Sequence, residues 1–159
     1  MANKNLKYFM REDCKEEQIF TRPAPDRFVD EKGEVVQMEI KKLHNETIAK
    51  INEMYKTRTP MRDKKGNYIC QNGEVIFKTE KDSLRATRHI IAEALVYPDL
   101  KDPDLMAFYK CADITEMPLK VFPENDEYAH VQRAVLEVLG MLEPEEQQNE
   151  KEVDDAKNS

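Results

Sequence analysis

The chain has 159 residues, 40% hydrophobic and 36% charged, with no tryptophan and a formal charge of −7. That length suits one domain with an attached tail, and no apolar run approaches the roughly 20 residues that span a bilayer. Residues 143–159 hold seven acids against Lys151 and Lys157, so the remaining body is near neutral and offers no electrostatic basis for binding nucleic acid.

Met1 to Leu6 has no apolar signal-peptide core, which points away from export. Cys14, Cys70 and Cys111 are odd in number and widely spaced, which fits reduced thiols better than a disulfide framework. Residues 4–20 interleave Leu6, Tyr8, Phe9, Met10, Ile19 and Phe20 with a charged run from Arg11 to Glu17. Two readings fit. One is a short helix or strand docked through its aromatics; the other is an arm that orders on a partner, with Leu6, Tyr8, Phe9 and Met10 as candidate partner-binding residues.

Thr21 to Pro25 is extended by its prolines. A hairpin is expected next, from Arg27-Phe28-Val29 through a turn at Asp30 to Gly33 and back along Glu34 to Lys42. In that returning strand Val36, Met38 and Ile40 alternate with Gln37, Glu39 and Lys41. The period then changes. Asn45 reads as an N-cap, with Ile48, Ile51, Met54 and Tyr55 forming a helical face to about Lys56. Thr57 to Gly73 reads as a loop broken by Pro60, Gly66 and Gly73. Its basic cluster, Arg58, Arg62, Lys64 and Lys65, fits a solvated loop better than a phosphate site, because no glycine-rich cradle accompanies it.

Asn72-Gly73, flanked by Tyr68 to Gln71 and Glu74 to Phe77, is the sharpest local signal and predicts a type I′ hairpin. Thr79 with Asp82 resembles a capping box, opening a helix through Leu84, Thr87, Ile91, Ala94 and Leu95 up to Pro98. Residues 94–105 then form a joint. Pro98 stops one helix, Asp102 as N-cap with Pro103 at the first position starts the next, and Tyr97 and Leu100 are expected to pin the corner into the core. Leu105, Met106, Phe108 and Tyr109 continue that helix. Asp113 or Thr115 can cap a short segment with Pro118 in its first turn. Tyr128, Val131, Val135, Leu136, Val138 and Leu139 predict a final amphipathic helix stopped near Gly140.

These signals add up to an α+β fold, mainly α-helical, with about four to five helices and one or two small β-hairpins near the N-terminal half. The expected organisation is an N-terminal arm over 1–20, a single globular α+β domain over 21–142 and an acidic disordered tail over 143–159.

No catalytic constellation emerges. His44, His89 and His130 are far apart, and no CxxC, HExxH, GxGxxG, GxxxxGK[ST] or GxSxG pattern occurs. His89, mid-helix, reads as a surface or half-buried residue, and Cys70 and Cys111 read as small packing residues. Adjacent carboxylates such as Glu16 and Glu17 do not share a helix face. The chain therefore reads as a non-enzyme that needs no cofactor or metal. Eight methionines suit an adaptable binding surface, although Met54, Met106 and Met141 are expected on helical core faces.

Three blocks carry a family resemblance. They are Asp26 to Val36 running into Met38-Glu39-Ile40, Val96 to Asp102 with Leu105, and Glu127-Tyr128-Ala129 opening the last helix. In order and spacing they resemble the XkdN-like tail assembly chaperones of phages and prophages of Gram-positive hosts, over most of residues 20–140. The resemblance implies a protein that binds the tape-measure protein, and possibly tail-tube subunits, in the bacterial host cytoplasm, and that is absent from the mature virion. It brings no catalytic residue, cofactor, nucleic acid or membrane, and assigns no oligomeric state. The N-terminal segment and the Tyr68–Phe77 hairpin depart from the family pattern. A structural tail component or connector retained in the particle is the alternative.

Overall fold

A computed structural model describes residues 4–12 and 16–142; the expected acidic tail and Cys14 lie outside them. In chain order the elements are a 3-10 turn Leu6–Phe9, β1 Ile19–Pro23, β2 Gln37–Lys41, α1 Asn45–Met54, β3 Lys56–Pro60, β4 Cys70–Gln71 and β5 Glu74–Val75. Then follow β6 Phe77–Lys81, α2 Ser83–Ala94, β7 Leu95–Tyr97, α3 Pro103–Phe108, α4 Met117–Val121 and α5 Asn125–Val138. The α+β class holds. The expected helical predominance does not, because the strands form three antiparallel sheets. Two compact units result, one from Met1–His44, Ala94–Pro98 and Glu124–Ser159, the other from Asn45–Glu93 and Asp99–Pro123.

In the first unit the sheet order is β1-β2-β7, so β2 is the central strand. Its alternation works as expected: Met38 and Ile40 are fully buried while Gln37 and Glu39 face out. Helix α5 packs on β2 and contributes Val131, Ala134, Val135 and Val138, a buried stripe at helical spacing. Each of the three valines stabilises by about 1.5–3 kcal/mol on full burial. Past the helix, Gly140 takes φ +75°. Its N–H reaches Glu137 O at 3.0 Å while Met141 N–H reaches Leu136 O at 2.8 Å, the paired bonds of a Schellman stop.

The main partner of β2 differs from expectation. Arg27 to Val29 forms only an isolated bridge, Val29 to Val35, around a turn tied by Asp30, whose Oδ1 accepts from Lys32 N (2.8 Å) and Glu34 N (3.0 Å). The ladder instead runs from Ile19↔Lys41 to Pro23↔Gln37. Five residues of β1 match the five of β2, whereas the short 27–29 arm offers one pairing. Strand β1 thus crosses the boundary expected at residues 20 and 21, carrying Ile19 and Phe20 into the sheet.

In the second unit, α1 buries Ile48 and Ile51, but Met54 at its last turn is exposed; Met141, after α5 in the first unit, is exposed too, contrary to the core role expected of both. Asp82 itself caps α2, its Oδ1 accepting from Arg85 N at 3.1 Å. Thr79 lies in β6, so no capping box forms. Ala86, Ile90 and Ile91 are buried on α2, while Leu84 in its first turn is exposed. The helix ends at Ala94 rather than at Pro98: Leu95 to Tyr97 pair with β2 as β7, and Pro98 in addition disfavours the helical region at Tyr97. Helix α3 starts as expected: Asp102 Oδ1 accepts from Asp104 N (2.9 Å) and Leu105 N (3.1 Å), with Pro103 in the first turn. Pro118 likewise lies in the first turn of α4.

The expected loop over Thr57 to Gly73 belongs in part to a β-ribbon. Strands β3 and β6 pair from Lys56↔Lys81 to Pro60↔Phe77, and β4 and β5 close the tip around Asn72 (φ +53°) and Gly73 (φ +81°), as the Asn-Gly signal predicts. No residue from Lys56 to Lys81 is buried.

Candidate partner-binding surface

The four residues predicted to bind a partner are brought together by one local device. Asn5 Oδ1 accepts from Lys7 N at 2.9 Å, and Met10 N–H closes the turn on Lys7 O at 3.1 Å. Leu6, Tyr8, Phe9 and Met10 lie on and beside this turn and are between 68% and 84% exposed. They stand in water rather than docked. Lys7 Nζ lies 5.8 Å from the centre of the Tyr8 ring, so a cation accompanies the aromatic group. Exposed large apolar side chains gathered in so few residues form a contact surface of the kind that protein partners cover.

The joint at residues 94–105 is arranged differently from the sequence reading in one respect. Leu100 is fully buried, and Asp102 and Pro103 start α3, but Tyr97 is 52% exposed. Tyr97 lies at the outer end of β7, where only Leu95 is buried, and lines an open depression with Val29, Lys32, Glu34 and Val36. It does not pin the corner into the core. The Tyr97–Pro98 peptide bond is cis. Beyond it, Asp99 tightens the turn by accepting from Lys101 N at 3.0 Å through Oδ1 and from Asp102 N at 3.1 Å through its carbonyl.

A polar cluster in the second unit was not legible beforehand. His89 is 8% exposed, more buried than its sequence position suggests, and its Nδ1 lies 2.5 Å from Tyr55 Oη. The two rings meet edge to face with centroids 5.6 Å apart. Burial holds the His89 pKa below its usual value, with Glu93 and Asp113 pulling the other way and Lys101 adding to the depression. A neutral imidazole can accept the Tyr55 hydroxyl proton at Nδ1. Burial also raises the Tyr55 pKa, against the nearby Arg85.

Around this pair, Arg85 donates to Asp113 Oδ2 (2.9 Å) and Thr115 Oγ1 (3.2 Å), and Arg88 donates to Thr115 O (2.8 Å). Thr115 in turn donates its hydroxyl to Asp113 Oδ1 at 2.7 Å, and the hydrogen bonds from Thr115 lower the Asp113 pKa. These bonds tie the 113–116 turn to α2. The cluster thereby orders the 113–116 turn against the helix.

Among the described residues no group of three or more His, Cys, Asp and Glu is placed to hold a metal ion, and no helix is long and apolar enough to cross a membrane. Cys111 is half-buried and directs Sγ at Asp113 O (3.2 Å), whereas Cys70 is exposed on the ribbon rather than packed.

Comparison with known proteins adds a family to this geometry. Residues 6–157 match the family described as phage XkdN-like tail assembly chaperone protein, TAC. The chain is 32% identical over 145 residues to phage-like element PBSX protein XkdN of Bacillus subtilis (strain 168), covering 88% of this chain and 90% of that protein. It is also 32% identical over 136 residues to the uncharacterized protein YqbN of the same strain, covering 86% and 84%. A crystal structure of the protein YqbN superposes with a TM-score of 0.65 at 24% identity, covering 87% of this chain and 98% of that one, and so shares the fold.

Proposed function

This chain belongs to the phage XkdN-like tail assembly chaperone family, and from that premise we propose that it binds the tape-measure protein while the tail is built. The observation that carries the reading is the family match over residues 6–157, which includes the exposed turn at Leu6 to Met10. A long, aggregation-prone partner needs a soluble companion that presents apolar contacts without aggregating itself. Four exposed apolar side chains on a chain of charge −7 meet both needs. The role is non-enzymatic, is carried out in the bacterial host cytoplasm, and ends before the particle is finished.

Co-expression with the tape-measure protein of the same phage or prophage tests this. The soluble fraction of the tape-measure protein should rise several-fold with the intact chain and fall back when Leu6, Tyr8, Phe9 and Met10 are all changed to serine. No rise with the intact chain overturns the reading. Mass spectrometry of purified particles separates it from a retained connector, because a chaperone should be absent from them.

A further inference from the structure

The ribbon from Lys56 to Lys81 concentrates positive charge on an otherwise acidic chain. It holds seven basic residues against three acidic ones, while the rest of the chain holds 18 against 29. Its acids are largely occupied: Asp63 Oδ1 accepts from Lys65 N and Asn67 N at 2.9 Å to shape a turn, and Glu80 pairs with Lys78 at 3.3 Å. Lys56 pairs with Glu53, and Arg62 donates to Gly66 O and Tyr68 Oη. That leaves Arg58, Lys64, Lys65 and Lys81 exposed and without an acidic partner among the described residues.

Two further features suit the ribbon to a protein segment. Arg58 lies over the Phe77 ring, 4.3 Å from its centre. The ring steadies the guanidinium plane and leaves its edge N–H groups available for a carboxylate. Among the described residues the β3–β6 pair is also a sheet of two strands, so each strand keeps an outer edge of backbone groups able to pair with an added strand. Beside the cations, Met61, Tyr68 and Phe77 are exposed apolar contacts.

We infer that this ribbon receives an acidic, extended segment of a partner protein, its carboxylates meeting Arg58, Lys64, Lys65 and Lys81. The inference rests on the chaperone reading and assigns that reading a second docking surface, apart from the Leu6–Met10 turn. A protein segment suits the site better than a nucleic acid. Screening confines the ribbon's potential to about 8 Å at physiological salt. A few carboxylates fit within that range, whereas a longer polyanion runs on into the field of an acidic chain.

The test uses the full chain and a fluorescein-labelled hexaglutamate peptide as probe, read by anisotropy at low salt. Changing Arg58, Lys64, Lys65 and Lys81 together to glutamine should weaken binding at least 10-fold. Changing the exposed Lys4, Lys32, Lys50 and Lys120 to glutamine should change it less than 3-fold. Both variants are to be used only where their circular dichroism and Tm match the parent; if the fourfold ribbon variant is unfolded, the double variant Lys64→Gln, Lys65→Gln replaces it, with at least a 3-fold loss expected.

Equal losses in the ribbon and control variants overturn the inference, as does no loss in either. Tighter binding of a six-nucleotide oligo-dT than of hexaglutamate assigns the surface to nucleic acid and overturns it. Binding that appears only after removal of residues 143–159 assigns the ribbon to the chain's own tail and overturns it too. Tape-measure solubilisation keeps the two proposals apart. If the parent chain solubilises the tape-measure protein and the ribbon variant does so equally well, the ribbon inference fails alone. If the parent chain does not, the chaperone reading fails.

Discussion

The central strand β2 and the ribbon strands β3 and β6 are all five residues long and antiparallel, yet they are held by different forces. In β2, Met38 and Ile40 are fully buried under α5. In β3 and β6 no residue is buried, and the pairing rests on ladder hydrogen bonds, on Arg58 over Phe77 and on an Asn-Gly turn. One region owes its stability to removing apolar surface from water. The other keeps its side chains available to something outside the chain.

The largest test of that contrast is Ile40→Ala, which should lower unfolding stability by about 2–5 kcal/mol in a urea titration. A loss under 1 kcal/mol would remove the distinction between the two regions. Next comes Tyr55→Phe, expected to cost about 1–2 kcal/mol by leaving His89 Nδ1 without its hydroxyl partner.

The His89 pair also sets a pH dependence. The folded pKa is depressed below the unfolded value of about 6.5, so the unfolded chain binds the extra proton first as pH falls. The contribution is therefore present above pH 6.5 and lost as pH drops through the lower folded pKa. Thermal melts between pH 7.5 and 5.5 should show a falling Tm for the parent chain and a flatter profile for His89→Gln. Parallel profiles would mean that His89 protonates as easily folded as unfolded.

Smaller effects belong to the ribbon. Gly73→Ala should cost about 1 kcal/mol, because an added Cβ meets no atom within 4 Å and only the positive φ opposes it. A much larger loss would show that the ribbon tip supports the fold. Smallest of all, Phe9→Ser should change Tm by less than the equivalent of about 0.5 kcal/mol, as expected of a surface residue outside any packed contact. A clear destabilisation would place Phe9 in a core.

The same contrast explains what could be read ahead of the structure. Met38 and Ile40 announced their strand because one face is buried, and Val131, Val135 and Val138 announced α5 for the same reason. Asn72-Gly73 and Asp102-Pro103 were legible because their signals are local and stereochemical. Strands β3 and β6 were not, since a strand exposed on both faces has no need to alternate apolar and polar residues. The pairing of β1 with β2 was hidden because the partners are distant in sequence, while Phe28-Val29 offered a nearer candidate. Of the proposed contact residues, the cluster at Leu6 to Met10 was readable as apolar residues set among charges. Arg58, Arg62, Lys64 and Lys65 were readable as a basic cluster on a loop, but nothing in their spacing tells which of them find acidic partners. His89 likewise gave no sign of Tyr55, 34 residues earlier.

The layout of the first unit has a consequence for its birth on the ribosome. Strand β2 emerges early, but its neighbour β7 follows more than 50 residues later and the helix that covers it starts only at Asn125. Met38 and Ile40 therefore wait, apolar and uncovered, until nearly the whole chain has been synthesised. A message truncated before Glu124 would yield a product that cannot complete this unit, and nascent chains should gain protease resistance in a late step rather than gradually.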